Sequence, residues 1–178
     1  MKKLNWIVAA LGIAALVVSC GGLKAPVVAP GQKIKLQIIL DHGVDDPNLT
    51  EGQVNQRTQV GNWMERDIIK LANKAGFDAE LIQNKDAYQY AEGKYLLVVK
   101  IVDYNPGAKA ARMLVGMGAG AASLTVQAEL YGEGDAALMS DAVGSGSGRD
   151  WNYCARACNE QSLKRAVDYL NTKHQPAE

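Results

Sequence analysis

Residues 95–104 (YLLVVKIVDY) constrain the fold of this chain more than any other segment. The first half of this run is apolar throughout, so both sides of the strand that it predicts need to be covered. Residues 33–40 and 123–131 instead alternate aliphatic and polar side chains, which is typical of strands with one buried face. We therefore predict a sheet with the 95–104 strand at its centre.

Weaker patterns add two short strands and two loops to this sheet. Residues 77–83 and 136–142 predict the strands, and the second of these follows a Gly-rich turn. Residues 84–93 are polar, and the GSGSG sequence at 144–148 predicts a flexible loop.

Two segments have the apolar spacing of helices. Thr50 and Gln53 form a capping-box sequence that opens the first helix, and Gly76 is placed to end it. The second helix is predicted over about residues 150–172. The predicted fold is therefore α/β (α+β), a single mixed sheet in the order β-α-β-β-β-β-α with two helices packed on it.

The amino terminus predicts an export signal. Lys2 and Lys3 precede an apolar run, residues 7–18, that is well short of the roughly 20 residues a transmembrane helix needs. The run ends in VVSCG, which resembles the lipobox of bacterial lipoproteins, where a small residue precedes a Cys that becomes acylated. We predict a signal peptide over residues 1–19 and lipid attachment, including palmitate, at Cys20.

The mature chain then divides into three parts. Residues 20–32 predict the lipidated Cys and a flexible tether, and the tether residues 21–32 would reach about 37 Å if extended at roughly 3.1 Å per residue. Residues 33–173 predict one periplasmic domain, and residues 174–178 a disordered tail. The lipobox resemblance implies the outer membrane, because Gly21 stands where an Asp would favour retention in the inner membrane. We expect a lipid-anchored domain on the periplasmic face of the outer membrane.

Composition and spacing exclude several functions. The chain has 19 Lys and Arg and 19 Asp and Glu, so it lacks the excess positive charge of a nucleic-acid-binding protein. It has two His, and His174 falls in the predicted tail, which leaves His42 as the candidate general base. The GSGSG sequence does not match a hydrolase nucleophile motif. We predict no catalytic residues and no enzyme activity.

Asp41, His42, Asp45 and Asp46 are the one cluster of potential metal ligands. Their spacing differs from that of a calcium loop, which needs acidic residues at alternate positions and a distal Glu. A solvated loop ahead of a helix, whose dipole favours acidic residues, is the simpler interpretation. We predict no metal site.

Gly116, Gly118 and Gly120 lie in a small, apolar segment between two predicted strands. Dinucleotide-binding loops share part of this pattern, but their third Gly comes one residue later and a helix follows it. A strand follows here, so no helix amino terminus would face a phosphate, and we predict no cofactor. The segment indicates either a close-packed crossover or a surface that contacts a protein partner.

Cys154 and Cys158 are four residues apart in the second predicted helix. An oxidising envelope would allow a disulfide, but Cβ atoms four residues apart on a regular helix are about 5–6 Å apart, and a disulfide needs roughly 3.5–4.5 Å. Two buried thiols are the alternative. Haem attachment is excluded because Asn159, not His, follows the second Cys.

The second half of the chain resembles a family of bacterial lipoproteins with a domain of unknown function, number 4410. The similarity rests on the strand KYLLVVKIVDY, on Arg112 and the GMGAG sequence, and on the strand ASLTVQAELYGEGDAAL. The resemblance covers about residues 33–170 and implies no catalytic residues. The chain departs from the family where its strand ends in GEGD rather than in Asp-x-x-Thr-Gly.

These observations support three functions. The first is a non-enzymatic, membrane-anchored lipoprotein whose periplasmic domain binds another envelope protein, through the Gly-rich segment or an exposed sheet edge. The second is a self-assembling subunit of an outer-membrane channel or secretion complex, since residues 121–131 have the length and alternation of a membrane strand. The third is an enzyme that binds a small ligand or a metal near His42.

Overall fold

The computed structural model describes residues 23–26, 32–107 and 120–173. Within these ranges the chain forms a five-stranded sheet and two long helices. The elements are β1 (Lys35–Asp41), α1 (Glu51–Ala75), β2 (Asp78–Leu81), a short 3-10 turn (Lys85–Ala87), β3 (Lys94–Asn105), β4 (Ala122–Tyr131), β5 (Ala137–Ser147) and α2 (Trp151–Lys173). The predicted α/β (α+β) class and the predicted element order are confirmed.

The strands lie in the order β2-β1-β3-β4-β5, so β3 is central, as its composition predicts. β1 pairs in parallel with β2 and β3, because α1 carries the chain back across the sheet between β1 and β2. β4 pairs antiparallel with both of its neighbours, β3 and β5. Leu96 and Leu97 point to opposite faces of β3 and both are fully buried, so the first part of this strand is covered on both sides, whereas Lys100 and Val102 farther along are exposed.

The hydrophobic core lies between the sheet and the two helices. Most alternate residues of each inner strand contribute apolar side chains to it, which is the pattern that the alternation predicts. The helices contribute the facing side chains. Representative members are Leu36, Ile38, Leu97, Val99, Leu124 and Val126 from the strands and Met64, Ile68, Leu163 and Leu170 from the helices.

The ends of α1 form as predicted. Thr50 accepts a hydrogen bond from the backbone N–H of Gln53, and the Gln53 side chain accepts one from the backbone N–H of Thr50. Gly76 follows the helix with a φ of 108°, a conformation that favours glycine, and its N–H caps the last carbonyls. These two signals fix both ends of a 25-residue helix.

Two predicted loops are more ordered than expected. The GSGSG sequence is not a loop, because β5 continues to Ser147 and pairs Gly144 and Gly146 with Thr125 and Ser123 of β4. Backbone hydrogen bonds to β4 need no side chain, so β5 continues through these glycine and serine residues despite their low strand propensity. In the polar 84–93 segment, the hydroxyl oxygen of Tyr88 lies 3.1 Å from the carbonyl oxygens of Lys94 and Gly132, and its one proton is shared between these two acceptors.

Part of the predicted tether lies against the domain. The backbone N–H of Ala25 donates to the carbonyl of Ala75 at the end of α1, at 2.8 Å, and Leu23 packs on the core. The predicted signal peptide, Cys20 and the 174–178 tail lie outside the described residues. In the ranges that are described, no helix combines the length and hydropathy needed to cross a membrane.

Candidate interaction surface

The two ends of the Gly-rich connection between β3 and β4 lie close together. Gly107 follows β3 and Gly120 precedes β4, and both have positive φ, at 74° and 67°. A Cβ on Gly107 would lie 2.4 Å from the carbonyl oxygen of Gly120, so the two backbones approach too closely for a side chain. Gly120 is therefore part of a structural turn, whereas Gly116 and Gly118 lie outside the described residues. We call this end of the sheet, where β3 ends and β4 begins, the glycine-rich end.

Several aromatic side chains lie near the glycine-rich end, on β3 and in the first turn of α2. Trp63 of α1 and Trp151 of α2 meet edge to face, with ring centroids 5.9 Å apart. Tyr104 packs beneath the start of α2, where burial raises the pKa of its hydroxyl to about 12, with a smaller contribution from Asp150. Tyr153 is 52% exposed. Exposed aromatic residues are enriched at protein–protein contacts, which makes this end a candidate docking surface.

The β5 strand forms an open edge of the sheet. Among the described residues it has a hydrogen-bonded neighbour, β4, on one side only. Its 11 residues include neither Lys nor Pro, the residues that commonly protect edge strands, and Ala142, Gly144 and Gly146 are exposed. The one acidic residue, Asp141, faces Arg165 of α2 at 3.8 Å. A long edge with small side chains can accept a strand from another chain.

Cys154 and Cys158 are free and fully buried on the side of α2 that faces the sheet. Their Sγ atoms donate to different carbonyls of β4, those of Ala122 at 3.3 Å and Leu124 at 3.5 Å. Burial raises the pKa of both thiols, and that of Cys158 reaches about 12. Of the two alternatives, the structure therefore has two buried free thiols, and their contacts hold α2 against β4.

We expect both thiols to resist alkylation by iodoacetamide at pH 8 in the native protein. Raising the pKa of Cys158 from 9.0 to about 12 lowers its thiolate fraction by roughly 1000-fold, and only the thiolate reacts. Mass spectrometry after alkylation should show neither residue modified. In guanidinium without reductant both should react, and failure to react there would reveal a disulfide instead.

The predicted ligand cluster is dispersed into separate pairs. Asp41 pairs with Lys100 at 3.2 Å, His42 with Glu65 at 3.0 Å, and Asp46 with the side chain and backbone of Asn48. In the described part of the chain, no group of three His, Cys, Asp or Glu residues could hold a metal ion. Asp45 instead lines a cleft of about 350 Å³ beside Arg57.

Arg57 is a buried residue that the sequence analysis does not anticipate. It is 8% exposed, and its guanidinium donates to the carbonyls of Gly43, at 2.7 Å, and Val102, at 3.0 Å. Val102 lies at a break in the β3–β4 register, where a β-bulge frees its carbonyl. Arg57 thus joins the loop after β1 to the bulge in β3. Its position three residues after Val54, on the buried stripe of the helix, is the signal that could have identified it.

A second polar contact joins α1 to α2. The fully buried Asn159 donates from Nδ2 to the carbonyl of Met64 and to Oδ2 of Asp67, both at 3.1 Å. Arg156 approaches the other oxygen of Asp67 at 3.5 Å. Polar groups in an otherwise apolar interface fix how the two helices align.

Known structures with a similar fold include an oligomer. A PelC dodecamer from Paraburkholderia phytofirmans is 12% identical, with a TM-score of 0.50 over 80% of this chain and 92% of that one. A putative neuraminyllactose-binding hemagglutinin homolog from Helicobacter pylori is 6% identical, over 86% of this chain and 89% of that one, with a TM-score of 0.32. The first similarity supports the fold, and the second carries no argument. No protein of curated function matches in sequence.

A family model settles the resemblance suggested by the β3 and β4 sequences. It matches residues 43–168, from the loop after β1 to the last turns of α2. The match includes four of the five strands, both helices and the glycine-rich end. The chain therefore belongs to the family described as Domain of unknown function (DUF4410).

Proposed function

We propose that this chain is a non-enzymatic lipoprotein of the bacterial envelope, anchored at Cys20 in the outer membrane. Its folded domain works by assembling with other protein chains on the periplasmic side, and copies of itself are the first such partner. The open β5 edge is the observation that carries this proposal.

The β5 edge suits assembly in both length and chemistry. An eleven-residue strand offers a row of backbone donors and acceptors, and its exposed Ala142, Gly144 and Gly146 leave room for a neighbouring chain. The edge ends at Ser147, which pairs with Ala122 at the glycine-rich end, a few residues before the exposed Tyr153 in the first turn of α2. Backbone pairing would supply affinity, and the aromatic side chains would supply specificity.

The similarity to PelC favours copies of the same chain over an unrelated partner. PelC was solved as a dodecamer, and its fold aligns with most of this domain. Among the described residues, the candidate catalytic side chains are engaged in ion pairs. His42 and Glu65 form an isolated pair against α1, and Asp41 is paired with Lys100.

We expect the full chain, extracted in mild detergent, to run as an oligomer in size-exclusion chromatography with light scattering. Ala142→Lys should reduce it to a monomer, because a Lys on an exposed edge opposes strand pairing. The far-ultraviolet circular dichroism of the variant should be unchanged, since residue 142 is exposed and its replacement leaves the fold of each chain intact.

Ala91→Lys is the matched control, because Ala91 is also exposed but precedes β3 at the far end of the sheet. It should leave the oligomer intact. A monomeric wild-type chain would contradict self-assembly, and an oligomer that survives Ala142→Lys would contradict the β5 edge as its contact. Lipidation is checked separately by the mass of the amino-terminal peptide, which should begin at an acylated Cys20.

A further inference from the structure

A groove lies between α1 and α2, beside the segment that precedes the domain. It has a volume of about 630 Å³, with an apolar floor that includes Leu71 and Ala75 of α1 and Ala157 of α2. Leu23 and Lys24, from the segment ahead of the domain, form one wall. The groove is therefore built partly from the chain that leads to the predicted lipid anchor.

The rim of this groove is mainly basic. Lys24, Lys74, Arg156 and Lys164 line it, and Glu160 is the acidic residue among the lining side chains. All five of these side chains are exposed. Arg156 pairs with Glu160 at 3.1 Å and with an acidic residue of α1, and Lys164 pairs at 2.6 Å with the carboxylate four residues later. The pairs with Glu160 and with the carboxylate four residues after Lys164 are exposed and therefore weak, so an anion can compete for Lys164 and for the side of Arg156 that faces Glu160. The acidic residue of α1 is mostly buried and keeps its contact with Arg156.

The covalent chain limits how far the groove can be from the anchor. Leu23 is three residues from Cys20, and three residues span no more than about 11 Å. Leu23 is itself held in place, because it packs on the core and Ala25 hydrogen-bonds to Ala75. An acylated Cys20 would bring the groove to the level of the phospholipid headgroups.

We infer that this groove binds the phosphates of anionic phospholipids and holds the domain against the membrane that carries its anchor. The inference rests on the proposed lipidation of Cys20. The apolar floor accepts the glycerol and first methylenes of a lipid, while the basic rim pairs with its phosphate. The predicted tether is then short, because the domain is held at the bilayer by residues 23–25.

The test uses the full lipidated chain in vesicles, with an environment-sensitive fluorophore on Gln161→Cys at the groove. Cys154 and Cys158 are buried and Cys20 is acylated, so the label should be specific. In vesicles of phosphatidylcholine with phosphatidylglycerol, we expect a blue-shifted emission and protection from iodide. In phosphatidylcholine alone, the probe should remain accessible.

The charge variants distinguish this site from general attraction. Lys74→Gln with Lys164→Gln should lower the ratio of docked to undocked domain about 25-fold, since each Lys near an anionic surface contributes about fivefold. Lys100→Gln with Arg149→Gln removes the same charge from exposed positions toward the glycine-rich end, away from the bilayer, and should change the ratio little.

Flotation of the same samples separates the two proposals. A chain that floats with both vesicle types but stays equally accessible in both would overturn the groove and leave the anchor intact. A chain that does not float would overturn the anchor, and the groove inference with it. Equal losses in the two double variants would also overturn the groove.

Discussion

Gly43→Ala is expected to lower the free energy of unfolding by about 3 kcal/mol. Gly43 has a φ of 61°, and a Cβ there would lie 2.0 Å from the carbonyl oxygen of Ile101. That oxygen belongs to the central strand and cannot move without disturbing β3. Equilibrium urea unfolding, followed by far-ultraviolet circular dichroism, measures the loss.

Two other glycines separate the cost of the positive φ from the cost of the steric contact with Ile101. Gly134 also has a positive φ, at 80°, but a Cβ there would meet nothing within 4 Å, so Gly134→Ala should cost only about 1 kcal/mol. Gly52 lies in the first turn of α1 with open space around it, and Gly52→Ala should be neutral or stabilising by about 0.5 kcal/mol. Equal effects at positions 43 and 134 would show that the contact with Ile101 relaxes.

Arg57→Met is expected to lower the free energy of unfolding by about 2–4 kcal/mol. The change removes both guanidinium hydrogen bonds and leaves the carbonyls of Gly43 and Val102 without that donor. The stability of Arg57→Lys should fall between that of the wild type and that of Arg57→Met, because a single ammonium group cannot reach both carbonyl oxygens as the planar guanidinium does. The same urea titration measures all three proteins.

Arg66→Met is the matched control for the loss of an arginine from α1. Arg66 is exposed on the same helix, so its replacement should change stability by no more than about 0.5 kcal/mol. Equal losses for Arg57→Met and Arg66→Met would mean that water replaces the guanidinium at both carbonyls. Hydrogen exchange should also quicken around Val102 in Arg57→Met alone.

The strands and helices could be predicted because their signals are local. Alternation along β1 and β4, the capping box at Thr50 and the cap at Gly76 each lie within a few residues of the element they define. The end of β5 could not be predicted in this way. Its Gly and Ser residues are weak strand formers, and only their pairing with β4 keeps the strand extended.

The polar contacts escaped prediction because their partners are distant in sequence. Arg57 reaches Val102 across 45 positions, and Asn159 reaches Met64 across 95. A single sequence shows that Arg57 lies on a buried stripe, but not which carbonyls meet it there. In the predicted interaction surface, the sequence shows that glycine recurs up to Gly120 but not why. The structure gives the reason, because the backbones at Gly107 and Gly120 lie too close for a Cβ on Gly107.

The hydrogen bond between Ala25 and Ala75 also orients the molecule. It lies at the end of the domain where β1 and β3 begin, and the glycine-rich end lies at the opposite end of β3. A strand of 12 residues spans roughly 35–40 Å. A domain fixed to the bilayer near Ala25 would carry its aromatic surface at the end away from the lipid, at up to about that height. Chains anchored in the same leaflet would then meet side by side at a common height, as assembly along β5 requires.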